Sequence, residues 1–111
     1  MKLVYVSHQY TGDEKKNVKS ARKYCRKLRE QHPDWAIFNP LDNFKFAHGS
    51  GCTYDDYMRM DTEILGRCDI VVFCGKWRKS KGCMAEYREA EKLGLKIIEC
   101  AVKPLASAMG I

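Results

Sequence analysis

Four short apolar runs alternate with stretches of helical periodicity along this 111-residue chain, and that alternation limits the possible folds more than any other feature. The run from Ile70 to Cys74 is rich in β-branched side chains, which predicts a strand buried on both faces. Strands that alternate with helices favour a parallel sheet with right-handed crossovers. We therefore predict an α/β fold, a three-layer Rossmann-like or flavodoxin-like parallel sheet of about four strands flanked by helices. The strands are expected in the order 2-1-3-4, near residues 2–7, 35–39, 70–74 and 95–100.

Start and stop signals in the sequence define three longer helices. Thr11 and Glu14 have the spacing of a capping box, and so have Thr53 and Asp56. Ser80 is a good N-cap residue for the last of the three. The helices are therefore expected at about residues 12–31, 54–67 and 80–94.

Two segments of the chain show no regular period. Residues 41–53 are long for a connection in a small domain, which is typical of a lid or binding loop. The aromatic side chains in this loop either cover a ligand or pack the loop down, and the sequence favours neither interpretation. Residues 101–111 are expected to form a short final helix or to dock on a partner subunit.

Two carboxylates fall on the faces of helices that should be apolar. Asp61 lies in the middle of an apolar stripe, three residues after Met58 and four before Leu65. Glu86 lies four residues before Ala90 and shares its face or the edge of it. A buried acid is destabilising unless it is paired, hydrated or used. For Glu86 a simple ion pair at a groove edge is an equally good interpretation, but two inward acids beside one strand indicate a site.

The predicted sheet order brings the carboxyl ends of the first and third strands together, where open α/β sheets bind their ligands. The start of the third helix adds free N–H groups that suit an anion. The basic loop at residues 76–81 is expected to attract a phosphorylated small molecule. The residues predicted to converge at this edge are Ser7, His8, Thr11, Asp61, Trp77, Ser80 and Glu86.

The formal net charge of +6 is concentrated in the first helix. A basic run on a helix is usually a solvated face, so nucleic-acid binding is the minority interpretation.

The six cysteines include no C-x-x-C pair, which favours reduced, mostly buried thiols over disulfides or zinc ligands. No apolar run approaches the roughly 20 residues needed to span a bilayer. We expect a single cytoplasmic domain over residues 1–111 with no contact to a membrane.

With these features the chain resembles the nucleoside 2-deoxyribosyltransferase-like superfamily over about residues 2–100, in particular its small uncharacterised members. The most specific match is the pattern S-x-G-x-x-x-E at residues 80–86. It follows a strand that reads C-D-I-V-V-F and precedes A-x-x-x-G at residues 90–94. Further matches in the same order along the chain are Tyr5, Asn17, Asn39-Pro40 and Asp61.

The resemblance implies an enzyme in which the glutamate matching Glu86 is the nucleophile. That residue would attack C1′ of a 2′-deoxynucleoside, and a second base or water would resolve the glycosyl-enzyme. Asp61 would handle the proton at the departing base, and Tyr5 would hold Glu86 by a hydrogen bond. Gly82 would let the backbone approach the ligand. A carboxylate near a helix start is also expected to stay ionised.

The chain departs from the family pattern in two places. Ser80 stands where the transferases often have an acid, and it is more similar to a branch that hydrolyses deoxynucleoside 5′-monophosphates. The first loop, S-H-Q-Y-T-G, has few glycines for holding a phosphate. Hydrolysis and transfer therefore stay open, and so does a non-catalytic nucleotide-binding module. The resemblance implies a nucleoside or nucleotide ligand, a homo-oligomer, and no metal or organic cofactor. The substrate-binding set is Ser7, His8, Thr11, Asn17, Trp77, Ser80 and Gly82.

Overall fold

The computed structural model describes residues 1–100, which form a parallel sheet covered by helices on both faces. The strands are β1 (Lys2–His8), β2 (Trp35–Phe38), β3 (Ile70–Cys74) and β4 (Lys96–Glu99). The α-helices are α1 (Glu14–Gln31), α2 (Pro40–Asn43), α3 (Tyr54–Leu65) and α4 (Lys81–Leu93), with short 3-10 helices at Lys45–Ala47 and Trp77–Lys79. All pairings are parallel and the order is β2-β1-β3-β4, which confirms the predicted fold class and strand order.

The central strands β1 and β3 set the two faces of the sheet. Every residue of β3 is buried, as its continuous apolar run predicts. Tyr5 pairs with Val71 and Ser7 pairs with Phe73, so these four side chains point to the same face. That face packs against α3 and α4. The opposite face packs against α1, and it carries Val4, Val6, Ile70, Val72 and Cys74.

The prediction that β4 is a buried strand was wrong. Lys96 and Glu99 are exposed, because among the strands of the described residues β4 lies at the edge and pairs only with β3. Ile97 and Ile98 between them pack on opposite faces of the sheet. The charged ends of such a short strand disfavour pairing with another chain.

Helix caps agree with the sequence at α3 and α4 but not at α1. Thr53 and Asp56 form the predicted capping box, and the Ser80 hydroxyl accepts a hydrogen bond from the Cys83 N–H at 3.2 Å. The first helix is capped by Asp13, whose carboxylate accepts from the Lys16 N–H at 3.3 Å, and not by Thr11. Asp13 directly precedes the helix, whereas Thr11 belongs to the loop before it.

The stretch predicted as one irregular loop contains two short helices. Asn39 caps α2 by accepting a hydrogen bond from the Leu41 N–H, and Pro40 stands at the first helical position, where its missing N–H is no loss. The prediction for residues 101–111 concerns positions outside the described part of the chain. Among the helices of residues 1–100, none combines the length and apolar character of a membrane span.

Candidate active site

A cavity of about 1170 Å³ lies at the carboxyl ends of β1 and β3, where the sheet order places the predicted ligand edge. Its walls come from the loop after β1, from α1, from α3, and from the loop and helix after β3. It is large enough for a nucleotide-sized ligand. The predicted site residues that line it are His8, Thr11, Asn17, Asp61, Ser80, Gly82 and Glu86.

Glu86 is held in the cavity wall by two hydroxyl groups. The Tyr5 hydroxyl donates to Oε2 at 2.7 Å and the Ser7 hydroxyl donates to Oε1 at 2.7 Å. Tyr5 and Ser7 are two residues apart on β1, so both point to the face that α4 covers. Glu86 is only 6% exposed. Each carboxylate oxygen therefore has a fixed donor, which sets the orientation of the group.

Burial raises the pKa of Glu86, and the hydrogen bonds from Ser7 and Tyr5 partly offset that effect. The helix start, which the sequence had suggested, is not the group that favours the ionised form of this carboxylate. Glu86 follows the first turn of α4, which begins at Lys81, whereas the free N–H groups and the dipole effect belong to that first turn. The hydroxyl donors from β1 are what favour the ionised form.

Asp61 lines the same cavity from α3. Its Oδ1 atom is buried and has no hydrogen-bond partner among residues 1–100. Burial and, to a smaller extent, the negative charge of Glu86 raise the pKa of Asp61 to about 7, against a smaller lowering by the Tyr5 hydroxyl. The charge of Glu86 thus disfavours the ionised form of Asp61.

The loop after β1 is tied to the loop after β3 by side chains rather than by backbone alone. Asn17, which is buried on α1, donates from Nδ2 to the Tyr10 carbonyl at 2.8 Å. Its Oδ1 accepts from Gln9 Nε2 at 3.2 Å, and Gln9 Oε1 accepts from the Lys76 N–H at 2.8 Å. Asn17 and Gln9 therefore hold the two loops that form opposite sides of the cavity.

His8 is a neutral, fixed member of the cavity wall. Its Nδ1 donates to the Gln9 carbonyl at 2.7 Å, and its Nε2 accepts from the Ser20 hydroxyl at 2.8 Å. Burial lowers the pKa of His8, so the ring carries no charge at neutral pH. An anion at this position would meet hydrogen-bond groups and not a positive imidazole.

The family model described as Domain of unknown function (DUF4406) matches residues 2–99. The chain belongs to this family. No curated protein matches the sequence. The family assignment agrees with the small uncharacterised members to which the motifs pointed.

Solved structures similar to this DUF4406 protein include two 2-deoxyribosyltransferases. The enzyme from the psychrotolerant bacterium Bacillus psychrosaccharolyticus superposes with a TM-score of 0.68 at 18% identity, covering 87% of this chain and 70% of the other. The enzyme from Leishmania mexicana gives a TM-score of 0.63 at 18% identity, covering 89% of this chain. The match spans 63% of the Leishmania chain, less than two thirds. At this identity the similarity shows a nucleoside 2-deoxyribosyltransferase-like fold.

Two of the predicted ligand-binding residues of the DUF4406 protein lie behind the cavity wall. Ser7 is fully buried and contacts Glu86 instead of the cavity. Trp77 is 3% exposed and packs between Phe73 and Tyr87, with ring centroids 4.8 and 5.2 Å away. The prediction that Trp77 meets the ligand is therefore corrected, because the short helix after β3 turns its ring into the apolar core.

The basic residues around the cavity differ from the predicted cluster at one position, where Lys16 is present and Arg78 is not. Lys76, Lys79 and Lys81 line the cavity as expected. Arg78 does not, because it pairs with Glu99 at 2.7 Å. Lys16 joins from α1, a position that a linear sequence cluster could not reveal. Within residues 1–100 no group of histidine, cysteine and acidic side chains has the geometry to hold a metal ion.

Gly82 lies where two helices of the site pack against each other. A Cβ at this position would lie 3.4 Å from Tyr54 Oη and 3.5 Å from Met58 Sδ, both on α3. The helix that carries Glu86 therefore packs closely against the helix that carries Asp61.

Replacing Gly75 with alanine is expected to loosen the cavity as well as the fold. Gly75 has φ of +68°, and a Cβ there would overlap Gln9 Oε1 and lie 2.8 Å from His8 Nε2. Gly94 has nearly the same φ of +69° but open space around it, so Gly94→Ala is the matched control. Positive φ alone costs about 1–2 kcal/mol. In urea unfolding, Gly75→Ala should lose at least about 1 kcal/mol more than Gly94→Ala. Equal losses would show that the contact with Gln9 and His8 carries no strain.

Proposed function

We propose that this protein is an N-glycosidase or a 2-deoxyribosyltransferase-like enzyme that cleaves or exchanges the base–sugar bond of a nucleoside or nucleotide. One observation carries the proposal. Glu86, buried and oriented by two hydroxyl donors, lies in the wall of the same cavity as Asp61, an acid with an unpartnered buried oxygen. The similarity in fold to 2-deoxyribosyltransferases supports this reading of the pair.

The environments of the two acids suit different protonation states. Two hydrogen bonds favour the ionised form of Glu86, whereas Asp61 has a buried oxygen with no donor and a pKa raised to about 7. Burial raises the pKa of both acids, and we propose that a single shared proton resides on Asp61, because the ionised form of Glu86 receives the hydrogen bonds of Tyr5 and Ser7. This leaves Glu86 as a nucleophile and Asp61 as a general acid near neutral pH.

The proposed reaction follows from that division of roles. A Glu86 oxygen bonds to C1′ while the C1′–N bond breaks, through a transition state with oxocarbenium character. The electron pair of the broken bond stays on the base nitrogen, and the base takes a proton from Asp61. Water or a second base then attacks C1′, the bond from C1′ to the Glu86 oxygen breaks, and the now ionised Asp61 takes the proton that the attacking group loses. Tyr5 and Ser7 position the nucleophile throughout.

The lysines around the cavity extend the proposal to nucleotides. Lys16, Lys76, Lys79 and Lys81 give the rim a positive potential, which attracts phosphorylated ligands. Thr11 and Ser80 line the same cavity as these lysines. We propose them as contacts to the sugar or to its phosphate.

The test is to incubate the protein with 2′-deoxynucleosides and with their 5′-monophosphates, with and without a second free base, and to follow the products by chromatography. Release of free base indicates hydrolysis, and a new nucleoside or nucleotide indicates transfer. A ligand that raises the melting temperature but gives no product would instead support a non-catalytic nucleotide-binding module. Folded protein that neither binds nor converts any of these compounds contradicts both functions.

We also propose that the domain works as a homo-oligomer in a soluble compartment. Phe46 is 78% exposed and contacts Phe44, which lines the cavity. An aromatic side chain exposed beside the cavity is suited to burial against a second copy. Sedimentation equilibrium should give a mass above that of one chain, and Phe46→Ser should shift the distribution towards the monomer. A wild-type monomer at all concentrations would contradict this part of the proposal.

A further inference from the structure

Two cysteines from neighbouring strands meet on the α1 side of the sheet, outside the cavity. Cys74 is the last residue of β3, and Cys100 directly follows β4. The Cys100 N–H donates to the Phe73 carbonyl at 2.8 Å, so the strand ladder holds Cys100 beside Cys74. Their sulfur atoms are 3.4 Å apart. Both thiols are free.

We propose that Cys74 and Cys100 form a reversible oxidation site that closes to a disulfide when the protein meets a hydroperoxide. The site is independent of the proposed enzymatic function. It concerns a pair of side chains that neither the cavity nor the acids use.

The backbone already has the spacing that a disulfide needs. Neighbouring strands lie about 4.8 Å apart, which falls within the Cα–Cα range of about 4.4–6.8 Å found for disulfides. The sulfurs need to approach from 3.4 Å to a bond length of about 2.05 Å, which rotation of the side chains can supply. No strand has to leave the sheet for the bond to form.

The two thiols differ in access and in reactivity, as an attacking and a resolving cysteine should. Cys100 is partly exposed, whereas Cys74 is fully buried. The Cys74 S–H donates to the Cys100 sulfur, which lowers the pKa of the Cys100 thiol. Burial raises the pKa of Cys25 to about 12 and that of Cys68 to about 11. Because the thiolate is the reactive form, Cys100 should react first.

The chemistry balances with the hydroperoxide as the oxidant. The Cys100 thiolate attacks one peroxide oxygen, the O–O bond breaks, and the leaving oxygen takes a proton to give water when the oxidant is hydrogen peroxide. Cys100 is then a sulfenic acid. The Cys74 sulfur attacks the Cys100 sulfur, its proton and the sulfenic hydroxide leave as a second water, and the S–S bond forms. Two electrons pass from the sulfurs to the peroxide.

The position of the pair links it to the cavity wall. Cys74 immediately precedes Gly75, whose N–H forms a hydrogen bond with the Tyr24 hydroxyl. Tyr24 lines the cavity, and Gly75 lies against Gln9 and His8. A bond between Cys74 and Cys100 would therefore fix the base of the loop that carries Lys76.

The experiment treats reduced full-length protein with hydrogen peroxide, blocks the remaining thiols with iodoacetamide in denaturant, and measures the intact mass. We expect two fewer alkylated cysteines out of six, with full recovery after dithiothreitol. Fragmentation of the tryptic peptides must then separate Cys74 from Cys68, because both lie between Arg67 and Lys76. A link from Cys74 to Cys100 is the expected product, together with a melting temperature several degrees above that of the reduced protein.

Two variants sharpen the test. Cys100→Ser removes the partly exposed partner and should prevent the intramolecular link, whereas Cys52→Ser should leave it unchanged, since Cys52 belongs to the distant segment before α3. If Cys100→Ser does not fold, the peptide map of the wild type decides alone. A link between Cys25 and Cys100, a link between two chains, or oxidation to sulfinic acid without any disulfide would each overturn the proposal.

Discussion

Replacing Glu86 with glutamine is expected to lower base release by at least about a thousandfold, because the amide cannot form the glycosyl-enzyme. The substitution removes one charge and keeps the shape of the side chain. The binding of substrate should change far less than the rate, since the cavity walls stay in place. Single-turnover measurement of base release, alongside a melting-temperature shift for the same ligand, separates the two effects.

The fold should tolerate this substitution. Tyr5 and Ser7 now donate to the two carboxylate oxygens, and a hydroxyl can turn to accept from an amide as well as donate to its carbonyl. Burial disfavours the charge on Glu86, so its removal should leave the melting temperature equal or higher. Glu91→Gln on the exposed face of α4 is the matched control and should alter neither quantity. Base release by Glu86→Gln within tenfold of wild type would refute the nucleophile assignment.

The strands and the three longer helices could be predicted from the sequence because most of them carried their own local signal, whereas the two short helices after β2 did not. The apolar run of β3 has no polar interruption, so its burial on both faces was evident. The capping box at Thr53 and Asp56 and the cap at Ser80 fixed the starts of α3 and α4. The first helix was the exception, because Thr11 and Asp13 are both good capping residues and only the path of the loop decides between them.

The acids of the site were predictable because helical periodicity directed them towards the sheet. The orientation of Trp77 was not, since a short 3-10 helix has no period long enough to define a face. Gln9 was missed for a different reason. Its two hydrogen bonds join Asn17 to the backbone of Lys76, 67 residues away from Gln9, and nothing in its own neighbourhood signals that contact.

The position of Glu86 along its helix is a poor guide to what stabilises its charge. A carboxylate on a helix that starts at the ligand edge suggested stabilisation by the helix dipole. Burial instead raises its pKa, and hydrogen bonds from two residues of β1 partly offset that effect. These hydrogen bonds depend on how β1 packs against α4. The sequence alone does not indicate that contact, and only the Tyr5 bond was expected, from the family resemblance.

Asp61→Asn is expected to stabilise the protein above neutral pH while it lowers activity. The folded-state pKa of about 7 lies above the ordinary value of 3.8, so the native state holds this proton more tightly than the unfolded chain. The contribution of Asp61 is therefore most favourable below about pH 4 and is lost as pH rises to about 7. The difference between the two pKa values corresponds to about 4 kcal/mol at pH 8.

Asparagine cannot ionise, so the variant should not lose stability as the pH rises through about 7. Its amide still buries polar atoms, and we therefore expect a gain of about 2 kcal/mol at pH 8 and none at pH 4, measured by urea unfolding at both values. Glu63→Gln on the exposed side of α3 removes only a surface ion pair with Arg67 and should change stability by less than about 1 kcal/mol at either pH. An equal effect of Asp61→Asn at pH 4 and pH 8 would show that Asp61 is not a protonated acid in the native state.

The same variant tests the catalytic role of that proton. If Asp61 protonates the departing base, the wild-type rate should fall as pH rises through about 7, and Asp61→Asn should be slower by about 10²–10⁴ without that dependence. A deoxynucleoside whose base is already cationic, such as an N7-methylated purine, leaves without needing a proton. It should recover most of the lost rate in Asp61→Asn and almost none in Glu86→Gln. Equal losses with both kinds of substrate would instead assign Asp61 to binding, because only proton transfer distinguishes the leaving groups.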